Sequence, residues 1–287
     1  MYKNTEADVC LRFGDWEAVV LPDFGMNMVS LRYRGDPVLR EPNDRDVLAH
    51  EPYTHGIPLL FPANRTKNGR FTFNETEYSL PLNEPQRGNH IHGRMFDALF
   101  TVCDTDKSTV TAVYNNTGER YPFSFKMTVT DNLSEYGLKR TLVLKNTGGS
   151  PMPYTLAFHT SFTEPAWFSA PIGQRFLCDP NYIPTGNMAA LTETEAQYVL
   201  GICPSNLVIS GFYTSTGHCV KLGAYRFTVS ENFDEWILFN GGGGQGFLCA
   251  EPQCGEVNGL NRLNGHCILN AGEEAVFWLK IGVEVQK

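Results

Sequence analysis

Phe123-Ser-Phe-Lys-Met-Thr-Val-Thr-Asp-Asn-Leu-Ser-Glu-Tyr-Gly137-Leu-Lys-Arg-Thr-Leu-Val-Leu144 is the stretch on which the fold class turns. Apolar and polar residues alternate over 123–130 and again over 137–144, the period of a strand with one buried face. Between them, Asp131 to Gly137 is rich in residues that favour reverse turns, so the stretch reads as two antiparallel strands joined by a turn over 131–137. The same signature recurs at Trp16-Glu-Ala-Val-Val-Leu21 and at Phe277-Trp-Leu-Lys-Ile-Gly-Val-Glu284. Further turn clusters lie at 146–149, 214–217 and 270–272. With 27 glycines and 17 prolines spread along the chain, long helices are disfavoured. The best helical candidate is the short run Leu191–Tyr198. Gly241-Gly-Gly-Gly-Gln-Gly246 lacks the Lys-Ser/Thr ending of a phosphate loop and reads as a hairpin connection. No shift in composition marks a linker and no repeat is visible. The expectation is an all-β chain, a single domain over 1–287, with two large antiparallel sheets packed face to face.

Composition narrows the function. The 287 residues carry 23 basic and 31 acidic side chains, a net charge of −8, and no basic cluster. Nucleic acid and anionic membranes are therefore excluded as expected partners, and a neutral polar substrate fits better. No run approaches the roughly 20 apolar residues of a membrane span, and the start of the sequence lacks a signal peptide's apolar core, so a cytoplasmic location is expected. The eight cysteines (10, 103, 178, 203, 219, 249, 254, 267) include no C-x-x-C pair and read as buried, reduced thiols. Zinc is disfavoured for want of closely spaced ligand pairs.

Four segments carry candidate chemistry. Phe61-Pro-Ala-Asn-Arg-Thr-Lys-Asn-Gly-Arg-Phe71 places Asn64 and Arg65 at a turn, and a guanidinium fork suits neighbouring hydroxyls. Asn89-His-Ile-His-Gly93 puts His92 beside a glycine, where backbone approaches a ligand closely. In Met152-Pro-Tyr-Thr-Leu-Ala-Phe-His159, a histidine ends an apolar strand. In Phe247-Leu-Cys-Ala-Glu251-Pro252, a carboxylate ends one, which is costly unless it is paired or functional. Taken singly, each has an ordinary structural reading: a surface ion pair, a satisfied core histidine, a turn.

Their joint order is more specific. An N-R-x-x-x-G-x-F segment, an H-G segment, a P-Y-x-x-x-x-H strand and a late glutamate before an Asn-containing loop follow one another here. This order is similar to that of the aldose 1-epimerase (galactose mutarotase-like) family, and nearest to its less characterised branch. The opening Val19-Val-Leu-Pro-Asp-Phe-Gly25 and the closing Leu269-Asn-Ala-Gly-Glu273 also resemble it, so the likeness spans nearly the whole chain. It implies a β-supersandwich and a monosaccharide substrate whose α and β anomers are interconverted without metal or other cofactor. Glu251 is then the base on O1, His159 the acid on the ring oxygen, entering as imidazolium, and His92 a hydrogen-bonding partner near that oxygen; Arg65 and Asn64 hold hydroxyls. Two departures stand out. Thr160-Ser161-Phe162 follows the second histidine where the family commonly has Pro-Tyr-Phe, and Ser205–Tyr213 lacks the acid that the family uses for substrate binding. Three other readings remain open. One is a non-catalytic sugar-binding protein; another is a hexose-6-phosphate 1-epimerase with Arg87 and Arg94 as the cationic groups. The third is a cupin-type metal site that takes His90 and His92 with a distant histidine and glutamate as ligands, Asp97 lying near the pair. The sequence leaves monomer and homodimer open.

Overall fold

The structure, a computed structural model, describes residues 2, 3, 5 and 7–284. Its centre is the hairpin expected from the opening stretch, but longer: Phe125–Ser134 pairs with Gly137–Asn146 in ten antiparallel steps. Only Glu135 and Tyr136 turn. The polar run 131–134 stays in the strand because Asp131 lies directly opposite Arg140, and the two form a buried ion pair at 2.6 Å. Arg140 also donates to the carbonyls of Ile57 at 3.0 Å and Met26 at 2.7 Å. A pattern that looks like turn chemistry is thus an inward-facing charge pair.

This hairpin lies in an eight-stranded sheet ordered 101–105, 109–116, 125–134, 137–146, 274–283, 225–229, 219–222, 168–169. A second eight-stranded arrangement runs 184–189, 172–178, 210–215, 235–239, 247–254, 156–158, 59–60, with Thr160–Thr163 also pairing with 247–254. Named strand pairs are antiparallel throughout, which gives the β-supersandwich. A four-stranded sheet from Val9–Phe13, Trp16–Leu21, Asn27–Tyr33 and Asp36–Pro37 completes the large elements.

The sheets meet through aromatic side chains: Phe158–Phe233 at 5.9 Å, Phe233–Phe277 at 5.4 Å, Phe162–Phe227 at 5.2 Å and Phe227–Trp236 at 5.9 Å between ring centroids. Each such buried side chain contributes about 1.5–3 kcal/mol. The helix runs Glu193–Leu200, two residues beyond the expected span. Thr192 caps it and Glu195 closes a capping box. The segment 240–246 joins Glu235–Phe239 to the antiparallel Phe247–Cys254, as a hairpin connection does. The cysteine expectation fails in part. Cys249 and Cys254 are buried, but Cys10, Cys103 and Cys203 are exposed; Cys103 sits on the edge strand Thr101–Thr105, which is exposed along its whole length. Among the described residues no helix is long and apolar enough to cross a membrane.

Candidate functional site

The strand Phe247–Cys254 organises the site by alternation. Leu248 and Ala250 point into the core between the sheets; Cys249, Glu251 and Gln253 point the other way. Thr160 pairs with Ala250 and Ser161 with Cys249, while Ala157 pairs with Gln253, so the register places His159 directly across from Glu251. On the other side Ile237 faces Glu251 and Glu235 faces Gln253. Glu251 therefore sits mid-strand, not at a strand end as the apolar run followed by proline led us to expect. His159 falls at the break between Leu156–Phe158 and Thr160–Thr163, its own N–H donating to the Pro58 carbonyl at 2.9 Å. The Nε2 of His159 lies 3.4 Å from Oε1 of Glu251, and both side chains are nearly inaccessible.

His92 reaches the same place from the strand pair Arg65–Lys67/Asn89–Ile91. It leaves that pair with φ +63°, followed by Gly93 at φ +67°. A Cβ on Gly93 would lie 1.9 Å from the Phe61 carbonyl oxygen, so only glycine permits the turn that delivers His92. The His92 and His159 rings are 5.4 Å apart, edge to face, and Tyr53 packs 4.7 Å from His92 and 6.5 Å from His159. An aromatic ring thus contacts both imidazoles, although no tyrosine follows His159. Asn64, at φ +54°, donates to Oε1 of Gln253 at 3.4 Å. Gln253 in turn donates to the buried carboxyl of Glu235 at 3.3 Å.

Arg65 borders the cavity, but its guanidinium is largely engaged: Nε and Nη2 each bond Glu84 at 2.9 Å. Glu84 also accepts from Arg87 at 3.1 Å and from Asn89 at 2.9 Å. Both arginines lie over the Tyr182 ring, at 5.0 and 4.8 Å. Burial pushes the Glu84 carboxyl upward, yet these donors and the two guanidinium charges outweigh it and hold the group ionised below its ordinary value. The cavity, about 370 Å³, is lined by Glu251, His159, His92, Asn64, Arg65 and Arg87, together with Ser210, Gly211 and Phe212. The stretch without an acid is therefore in the wall, and Glu251 is the lone carboxylate among the described lining residues. A larger adjoining hollow of about 570 Å³ shares Tyr53, Thr54 and Ile91 and takes in Arg94, which does not line the inner cavity.

The cupin-type grouping does not form. His90 turns its Nδ1 to the Pro81 carbonyl at 2.7 Å, and Asp97 is bound by Arg120. Protonation also departs from expectation. Burial drives the Glu251 carboxyl well above the carboxylate range, opposed by the Arg65 charge, and lowers His159 to about 4. Burial and the neighbouring His159, Arg65 and His90 hold His92 well below its ordinary value. Resting His159 is therefore a neutral imidazole, not the expected imidazolium, and the proton of the pair rests on Glu251.

Sequence reasoning missed Glu84, Gln253, Glu235, Tyr53 and Tyr182. Gln253 was within reach, being two residues from Glu251 on one strand face; the others carry no local signal.

A β-supersandwich with a buried carboxyl–imidazole pair in the wall of a cavity defines a structural class. Comparison places the chain within it: residues 8–282 match the aldose 1-epimerase family model, and the chain belongs to that family. The fold is similar to that of a galactose mutarotase-like protein from Clostridium acetobutylicum (TM-score 0.89, 23% identity, 96% of this chain and 95% of that one). It is also similar to galactose 1-epimerase from Lactobacillus acidophilus NCFM (TM-score 0.79, 17% identity, 99% and 97%). Among curated proteins it is 25% identical over 186 residues to the uncharacterised protein YihR of Escherichia coli K12, an alignment spanning 62% of this chain and 59% of that relative.

Proposed function

We propose that this protein is an aldose 1-epimerase that interconverts the α and β anomers of a monosaccharide by acid–base ring opening. The observation that carries this reading is the opposed Glu251–His159 pair, 3.4 Å apart at the floor of the cavity. In this reading the pair shares one proton, which rests on Glu251 and passes to His159 when substrate binds. With that proton on His159, the Glu251 carboxylate takes the O1 proton while His159 protonates the ring oxygen and the C1–O5 bond breaks. The open-chain aldehyde rotates about C1–C2 and closes by the reverse transfers, which restores the pair. His92 steadies the ring oxygen. Asn64 and Arg65, the latter held in place by Glu84, orient hydroxyls. The test is NMR exchange spectroscopy on free and phosphorylated aldoses with catalytic amounts of protein. Faster anomer exchange supports the reading; sugar binding with no acceleration makes the protein a binder.

A second reading concerns the substrate. Arg87 and Arg65 share one carboxylate, Glu84, leaving a net positive charge on the cavity wall, and the 205–213 wall offers no acid. Both features favour a hexose carrying an anionic group. Preference for phosphorylated over free aldoses, lost in Arg87→Met, is the expected sign; equal rates on both would reject it.

A further inference from the structure

The alternation that turns Glu251 away from the core turns Cys249 the same way. Cys249 lies two residues earlier on the same strand face, is fully buried, and its thiol bonds the Ser161 hydroxyl at 3.1 Å, with Glu251 and the Arg40 charge also near it. It has no part in the proton transfers above. One donor atom each from Cys249, Glu251 and His159 lies within 4.8 Å of the other two. Among the described residues, no other such trio forms. We propose that these three side chains bind a thiophilic divalent cation of the zinc class, and that an ion seated there blocks the sugar.

The donor chemistry selects the metal. Thiolate sulfur, imidazole nitrogen and a carboxylate oxygen form a zinc-type set with a fourth position left for water, whereas hard magnesium takes oxygen ligands. Tetrahedral zinc spaces its donors roughly 3.3–3.8 Å apart, and Glu251 and His159 already stand at 3.4 Å. With all three donor atoms within 4.8 Å of one another, a small inward shift closes the set. Thiolate and carboxylate together neutralise a divalent charge, which lowers the penalty for burying it. The proton balance is simple: the cation displaces one proton from the Cys249 thiol and the single proton held by the Glu251–His159 pair. Both catalytic groups then become ligands, so metal and substrate are mutually exclusive.

The site stands on geometry alone; the inhibition rests on the proposed epimerase activity, and the tests separate the two. Metal-free protein titrated with Co²⁺ is expected to show a near-ultraviolet thiolate-to-cobalt charge-transfer band that is absent in Cys249→Ser and Cys249→Ala. Zinc X-ray absorption on the unmodified protein, which needs no variant, is expected to show one sulfur at about 2.3 Å with nitrogen and oxygen at about 2.0–2.1 Å. No cobalt band, a band that survives loss of Cys249, or a shell without sulfur overturns the site. In the anomer-exchange assay Zn²⁺ should inhibit and Mg²⁺ should not. Cys249→Ser should keep the metal-free rate while the half-inhibiting zinc concentration rises by about 10- to 100-fold or more. Equal zinc sensitivity in both proteins overturns the inhibition while leaving the spectroscopy to decide the site.

Discussion

Replacing Glu251 by Gln keeps the side chain's size and polarity and removes its proton chemistry. A positioned proton-transfer group is worth about 10²–10⁴-fold in rate, or about 2.7–5.5 kcal/mol of barrier, and that is the expected loss in kcat. Sugar affinity should change little, because the amide can still accept and donate hydrogen bonds. Stability should move the other way. The folded-state pKa of Glu251 is raised by burial, so its contribution is fully present below the unfolded value near 4.5 and is lost as pH rises through the folded value. Each unit of that upward displacement corresponds to about 1.4 kcal/mol of penalty for a bare carboxylate above the folded pKa. Gln carries no such penalty. Thermal melts across pH should therefore show the variant gaining on the parent as the solution becomes alkaline, with exchange NMR reporting the rate loss on the same samples. A rate loss under about tenfold removes the base role. A variant that melts earlier at every pH and no longer binds sugar makes Glu251 a structural residue and refutes the reasoning.

His159→Asn should lose about 10²–10⁴-fold in kcat by the same measurement, with an opposite stability signature. The parent's stability from this neutral imidazole is present above the unfolded value near 6.5 and lost as pH falls toward about 4, and denaturation curves of the variant should lack that decline. Gly93→Ala forces a Cβ to within 1.9 Å of the Phe61 carbonyl at φ +67°, costing at least about 1–2 kcal/mol by backbone strain and displacing His92. A lowered melting point together with reduced exchange is expected, and an unchanged rate would detach His92 from the chemistry. Arg140→Met leaves Asp131 buried without its partner, which costs about 3–5 kcal/mol and is read by urea unfolding; a loss under about 1 kcal/mol would show that water or a shifted donor satisfies the acid.

The sheet was legible because strand periodicity is local. Trp16–Leu21 needed only its own residues and begins and ends where the sequence placed it. The hairpin turn was misjudged because the sign that Asp131 stays inside lies nine residues away, at Arg140. The same divide runs through the site. Order along the chain and family resemblance picked out Glu251, His159 and His92, and the fold gathers all three at one cavity. That Glu84 holds Arg65 and Arg87, or that Tyr53 packs on both histidines, depends on segments that meet only in three dimensions. Burial, and with it the protonation of the Glu251–His159 pair, was equally out of reach: the imidazolium expected from the mechanism is what a solvated histidine would supply, not one buried beside a carboxyl.

The two opposed pKa shifts are a consequence of the register rather than of either residue alone. Because His159 stands across from Glu251 on a face shielded by Tyr53, Ile237 and Phe239, neither group has water enough to stabilise its own charge. Burial favours the neutral pair, and Arg65 pulls in the other direction by lowering the Glu251 carboxyl. Arg65 can exert that pull without binding Glu251, since its donors are turned to Glu84. Hydroxyls of an arriving sugar would add donors to the carboxylate just where Arg65 already favours it, and the proton would pass to His159 when substrate is present to use it. On the proposed epimerase reading, a pair poised in this way stores its acid as a neutral group and becomes a charged acid and base once the ring oxygen and O1 are in place.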